Sequence, residues 1–152
     1  MDKQKLNRVI KLAGIARKRC LRLERVLGFK DGNPITISWF ESTLKDACGL
    51  VSWYTIYLAN CEKLYPTFVK GDYGIHCWVE YYNHIIDASA QQFNKNKPAV
   101  YTESKQKIKL DSFYHTNARR IARNHSIAKA LIIKNYSDCF YSELLRMNDS
   151  YD

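Results

Sequence analysis

Chain-breaking residues are scarce, with three prolines and six glycines in 152 residues. That excludes a low-complexity or collagen-like chain, which needs far more of them. Long apolar runs are missing as well, since no stretch approaches the roughly 18 residues that suggest a membrane-spanning helix. The opening MDKQKLNRVIKLAG is charged throughout, where a secretory signal would carry an apolar core. Neither a GxxxxGK[ST] loop nor a GxGxxG turn is present, which removes the common phosphate-cradling motifs. Five cysteines, Cys20, Cys48, Cys61, Cys77 and Cys139, are odd in number and show no CxxC spacing. A disulfide scaffold and a four-thiolate zinc site therefore get little support. These absences predict a soluble, cytoplasmic protein with free thiols and with no cofactor or metal.

Apolar residues make up 46% of the chain and aromatics 13%, including eleven Tyr and three Trp. Such a composition folds. The length is that of one ordinary domain, so residues 1–152 are read as a single unit. A formal charge of +9 points towards an acidic protein or nucleic acid as partner. The excess is uneven. Residues 1–27 carry nine Lys/Arg against Asp2 and Glu24, and residues 105–152 carry nine against five acidic residues. Residues 28–104 carry six against eight, net −2. The basic character thus belongs to two flanks, 1–27 and 105–152.

Leu6, Val9, Ile10, Ala13, Ala16, Cys20, Leu23 and Leu27 recur at three and four, which predicts a helix over residues 3–27. Gly28 stands at its C-cap position, and Lys30-Asp31-Gly32-Asn33-Pro34 reads as a loop. ITISWF at 35–40 is short and β-branched, a strand or a docking segment. With Asp46 as N-cap, Ala47, Leu50, Val51, Tyr54, Leu58, Cys61 and Tyr65 lie on one face of a mostly buried second helix that Pro66 ends. PTFVKGDYG, IHCWVEYY and NHIIDASA follow in quick succession, separated by Gly-Asp-Tyr-Gly and Tyr82-Asn83. They predict an antiparallel meander. AVYTES, after the polar NKNKP, is one more candidate strand, and residues 116–135 and 138–147 read as helices. The predicted fold class is α+β, a central helix against a small antiparallel sheet with helices at both ends.

Cys48 falls in the first turn of the central helix, where unpaired N–H groups and the positive end of the dipole favour a thiolate. If Tyr82-Asn83 is a two-residue turn, strand partners satisfy i + j = 165, so His76, Trp78, Asp87 and Ser89 share one side of the sheet. His76 and Asp87 are then diagonal neighbours within side-chain reach. A thiolate needs an imidazole to hold and deliver its proton, and the imidazole needs a carboxylate to fix its tautomer. Cys48, His76 and Asp87 supply those roles, and the Cys48 backbone N–H is a natural oxyanion donor.

Four blocks in order, Asp46-Ala47-Cys48-Gly49-Leu50-Val51-Ser52, Tyr65-Pro66-Thr67-Phe68-Val69-Lys70-Gly71, His76-Cys77-Trp78-Val79-Glu80-Tyr81 and Ile85-Ile86-Asp87-Ala88-Ser89-Ala90-Gln91-Gln92-Phe93, resemble the transglutaminase-like cysteine hydrolases. The resemblance spans residues 46–101 and implies a papain-like core. It implies Cys48 as nucleophile, His76 as general base and acid and Asp87 as orienter. The implied reaction is hydrolysis or acyl transfer at a protein or peptide amide, as in peptidases, deamidases and transglutaminases. Trp78 is a candidate shield for the His–Asp pair, and Glu80, on the same face, a support for the hairpin. Ser89 replaces a commoner Thr. Cys77 stands where a small residue is usual, and its side chain is expected on the opposite sheet face, leaving the triad intact. The glutamine that precedes the nucleophile in papain is not seen, so a second oxyanion donor is unassigned.

Other signals compete with this reading. Arg17-Lys18-Arg19 could grip phosphate or acidic lipid, against the simpler reading of a solvated helix face. ARRIARNHSIAKALII invites a helix-turn-helix reading but lacks a glycine-containing turn. His76, Cys77, His84 and Cys61 make a poor metal set, because adjacent strand residues face opposite sides. A binding or inhibitor protein that keeps the fold without turnover is the alternative to an enzyme.

Overall fold

Asp2 opens the first helix. Its Oδ1 accepts the backbone N–H groups of Gln4 at 3.1 Å and Lys5 at 3.2 Å, two of the donors that a helix start leaves without partners. In the computed structural model, which describes residues 1–27, 48–71, 76–109, 112, 114, 119–122 and 146, this helix, α1, runs Lys3–Leu27 as the periodicity predicts. Leu6, Val9, Ala13, Ala16 and Cys20 are buried on the expected stripe, joined by Leu12. They pack against the second helix, α2, Cys48–Cys61, through Leu50, Val51, Tyr54, Leu58 and Ala59. Arg8 ties the two helices at their edge, pairing its guanidinium with Glu62. Residues 28–47, which include the proposed C-cap, the loop, ITISWF and Asp46, lie outside the described residues.

The central helix stops a turn earlier than Tyr65. Lys63 adopts φ 59°, and its N–H reaches Asn60 O at 3.0 Å while Leu64 N–H reaches Ala59 O at 2.9 Å. This is the paired-bond helix ending usually built on glycine. Here a lysine takes the left-handed position, so no glycine marks the stop. Leu64 folds back into the core beyond it, and Pro66 follows at the start of the next extended segment.

Five antiparallel strands form one sheet in the order β4-β3-β2-β1-β5. They are β1 Thr67–Lys70, β2 Cys77–Tyr81, β3 His84–Asp87, β4 Tyr101–Ser104 and β5 Arg119–Ala122. The first four are the predicted meander with its additional strand. The fifth corrects the reading of 116–135 as a helix: residues 119–122 are a strand that pairs with the free edge of β1, Lys70 opposite Arg119 and Val69 opposite Arg120. Helix propensity is a weak prior, and an open strand edge with unmatched N–H and C=O groups overrides it. The register shifts between Phe68 and Val69, a local irregularity at that edge. The rest of the two predicted C-terminal helices lies outside the described residues, except Arg146, which is helical.

The period-two alternation divides the sheet into two unlike faces. Phe68, Cys77, Val79 and Ile86 point towards α1 and α2 and join the main apolar core. Val69, Trp78 and Ile85 point the other way, into a second cluster with Tyr114, flanked by Tyr101 and Ile108. Among the described residues no helix is long and apolar enough to cross a membrane.

Candidate active site

The β2–β3 hairpin sets the site. Tyr82 and Asn83 both have positive φ, 45° and 61°, the signature of a type I′ two-residue turn whose twist matches the strands. Pairing follows as Val79 with Ile86, Glu80 with Ile85 and Tyr81 with His84. That is the i + j = 165 register, and it places His76, just before β2, and Asp87, at the end of β3, on the same face. Their side chains meet, with His76 Nε2 2.5 Å from Asp87 Oδ2. Gly71 N–H, bonded to His76 O at 3.0 Å, holds the backbone of His76 from the β1 side.

Asp87 is almost wholly buried, and both of its oxygens are satisfied. Oδ1 accepts the Ser89 N–H at 2.8 Å and the Ser89 hydroxyl at 2.9 Å. Oδ2 accepts the Tyr114 hydroxyl at 2.6 Å besides His76. Burial works to raise the carboxyl pKa, but the bonds from His76, Tyr114 and Ser89 win and hold it below the ordinary carboxylate range. An ionised Asp87 is an acceptor only, so His76 must donate from Nε2. Nδ1 is thereby the nitrogen left for Cys48.

Cys48 is the first residue of α2. Its thiol pKa falls to about 5 through a hydrogen bond from the Cys77 side chain, against the opposing effect of burial, and through both a bond and a charge from His76. For His76, burial disfavours the cation, yet the bonds to Asp87 and Cys48 outweigh it and raise the pKa to about 9. Between those two values the pair is a thiolate and an imidazolium. Cys77 moves the opposite way, its thiol held protonated by the bond to Cys48. Cys77 therefore touches Cys48 from outside the triad. Its side chain does leave the His76 face, but the helix-facing side is where Cys48 arrives. Cys20 is buried with its thiol pushed well up by desolvation, a core residue in character.

Around the three residues the structure adds partners that sequence reading missed. Arg17, buried in α1, donates from Nη1 to Ala88 O and from Nη2 to Gln91 Oε1, both at 2.8 Å. Gln91 in turn donates to Lys97 O at 2.8 Å. The turn after Asp87 is thus pinned to the first helix. Arg19 is buried too, bonded to the Tyr54 hydroxyl at 2.9 Å. Of Arg17-Lys18-Arg19 only Lys18 is exposed, so this run is mostly internal scaffolding and not a docking strip. Gln92 places its side-chain amide 3.0 Å from His76 Nδ1, and beside an imidazolium N–H it is the amide oxygen that must accept there. The Phe93 ring, 48% exposed, meets the imidazole edge-on at 4.7 Å.

Trp78 lies beside the imidazole, ring centres 5.8 Å apart, and is wholly buried, as a shield for the His–Asp pair must be. Glu80 sits one strand pair further on. It accepts Lys105 Nζ at 3.0 Å and the Trp78 indole N–H at 3.4 Å, so it braces the tryptophan and the start of the segment after β4. The structure brings Cys48, His76, Asp87 and Ser89 together and leaves Glu80 at the periphery. A spacing signal for Ser89 was available in Asp-x-Ser, the short turn in which a side chain caps its own backbone. Gln92 stood inside the resembling block at residues 85–93 without a role, and no signal existed for Arg17 or Tyr114, whose partners are far along the chain.

Among the described residues no three His, Cys, Asp or Glu side chains converge as a metal site. No family model, no curated protein and no solved structure matches this chain.

Proposed function

We propose that the protein is a cysteine-dependent hydrolase or acyltransferase acting on a protein or peptide amide, on a papain-like, transglutaminase-like core. The arrangement that carries the reading is the chain of bonds from Cys48 through His76 to Asp87, with the thiol lowered and the imidazole raised. Cys48 Sγ attacks the amide carbonyl carbon, a C–S bond forms, and the carbonyl electron pair moves to oxygen. The Cys48 N–H is the donor assigned to that oxyanion. Collapse breaks the C–N bond, and His76 passes its Nδ1 proton to the departing amine. Water or a second amine then attacks the thioester while His76 takes its proton, and the thiolate is restored.

Labelling tests this directly. With iodoacetamide at neutral pH, Cys48 is expected to react well ahead of Cys20, Cys61, Cys77 and Cys139, and His76→Ala is expected to remove the preference. Slow, even labelling of all five would count against the reading.

One observation favours a second reading, a binding protein that keeps the triad without turnover. Cys48 is 9% exposed and His76 4%, and the Gln92 amide stands against the nitrogen that a leaving amine has to reach. A partner interaction that survives Cys48→Ser, together with an unreactive Cys48, would select it. The candidate partners for that case are an acidic protein or nucleic acid, and nucleic-acid binding would show as a steep loss of affinity with salt.

A further inference from the structure

We propose that Tyr114 is a positioning residue of the site, which holds the Asp87 carboxylate in place and limits how strongly it binds the His76 proton. This rests on the reading of Cys48, His76 and Asp87 as the catalytic set. The Tyr114 hydroxyl donates at 2.6 Å to Oδ2, the same oxygen that His76 Nε2 meets at 2.5 Å. Two donors on one oxygen share its negative charge. Each weakens the other, because a carboxylate that has given density to a phenol holds an imidazolium less tightly. Ser89 occupies Oδ1 with two bonds and so blocks the carboxylate from turning to relieve the competition.

The ring is fixed as firmly as the hydroxyl. Tyr114 is buried, edge-on to Trp78 with centres 5.1 Å apart and stacked on Tyr101 at 5.5 Å. Burial and the adjacent Asp87 charge keep its phenol protonated, so it remains a donor across the working range. Among the described residues, the other ionisable groups bearing on this cluster are Cys48 from α2, Cys77 and His76 beside it, Arg17 from α1 and Tyr101 from β4. Of these, His76 alone shares the Tyr114 acceptor oxygen. Tyr114 therefore trades orientation of the carboxylate against basicity of the imidazole. A triad with too basic a histidine would hold its proton and fail to deliver it to a leaving amine.

The test is the titration of His76 in the full chain, followed by NMR of its ring carbons and nitrogens. Tyr114→Phe keeps the aromatic stack and removes the donor, and the His76 midpoint is expected to rise by roughly half a pH unit or more, on the scale of one hydrogen bond to a charge shared between two groups. Replacement of Tyr114 by 3,5-difluorotyrosine makes a stronger donor in the same ring, and the midpoint is expected to fall. Opposite shifts from two near-isosteric rings support the role, since a packing defect would not reverse sign. An unmoved midpoint in both, or a shift in the same direction in both, overturns it. Failure of the catalytic reading would appear elsewhere, as even labelling of the cysteines, and would leave the paired titration shifts in place.

Discussion

The two faces of the sheet are equally buried and are built from opposite materials. On the helix side, Phe68, Val79 and Ile86 meet Leu50, Val51 and Ala13 in a largely apolar layer. On the other side, Trp78, Tyr101 and Tyr114 surround His76, Asp87 and Ser89, whose polar atoms are bonded to one another, while Glu80 bonds Trp78 and Lys105 at the edge. The same strands supply both layers, one residue to each side in turn. Apolar packing is thereby concentrated in one face and the titratable network in the other, and Cys48 joins them because the start of α2 reaches the start of β2. Cys77 is the residue on the helix-facing side that touches the chemistry.

Substitutions on each side should separate those roles, and the largest effect belongs to the polar face. His76→Ala removes both a bond and a positive charge from Cys48, so its thiol midpoint is expected to return from about 5 towards the ordinary cysteine range near 8.5. The pH dependence of alkylation measures it. Ile86→Ala on the apolar face should cost about 2–5 kcal/mol of stability in urea or thermal unfolding, through lost burial and a cavity, and leave the Cys48 midpoint where it was. Cys77→Ala crosses the boundary. Loss of a hydrogen bond to a charged sulfur should raise the Cys48 midpoint by roughly 1–2 pH units, with a smaller stability loss than Ile86→Ala. Arg8→Ala removes the partly exposed pair with Glu62, and about 0.2–1 kcal/mol in denaturant unfolding is expected from that loss. If Ile86→Ala moved the thiol midpoint as far as Cys77→Ala does, the division between the faces would fail.

What was legible in the sequence is what local chemistry determines. The α1 stripe follows from spacing, and the hairpin register follows from a two-residue Tyr-Asn turn, so the meeting of His76 with Asp87 could be read before any coordinates. The Lys63 helix ending could not, because a lysine occupies a conformation that glycine normally announces. β5 was hidden in a segment rich in helix formers, since its strand character comes from the β1 edge and not from Arg119-Arg120-Ile121-Ala122 themselves. Arg17 read as part of a basic surface run because its charge is visible and its burial is not. Tyr114 carried no motif at all, as a long-range hydrogen bond leaves no periodicity. The role of Cys77 was half read. Strand alternation gave its direction, but only the packing of α2 showed what waited there.

The pH profile of Cys48 alkylation is the most direct test of the central claim. The folded thiol lies below its ordinary value, so the thiolate is present above about pH 5 and lost as pH falls through it. His76 lies above its ordinary value and keeps its proton until about pH 9. Site-resolved mass spectrometry with iodoacetamide, run from pH 4 to 10, should therefore show Cys48 reacting with a midpoint near 5 while Cys20, Cys61, Cys77 and Cys139 stay slow through neutrality. A Cys48 midpoint in the ordinary range of about 8–9, with rates no faster than the other cysteines, would contradict the thiolate–imidazolium pair on which the proposed chemistry depends.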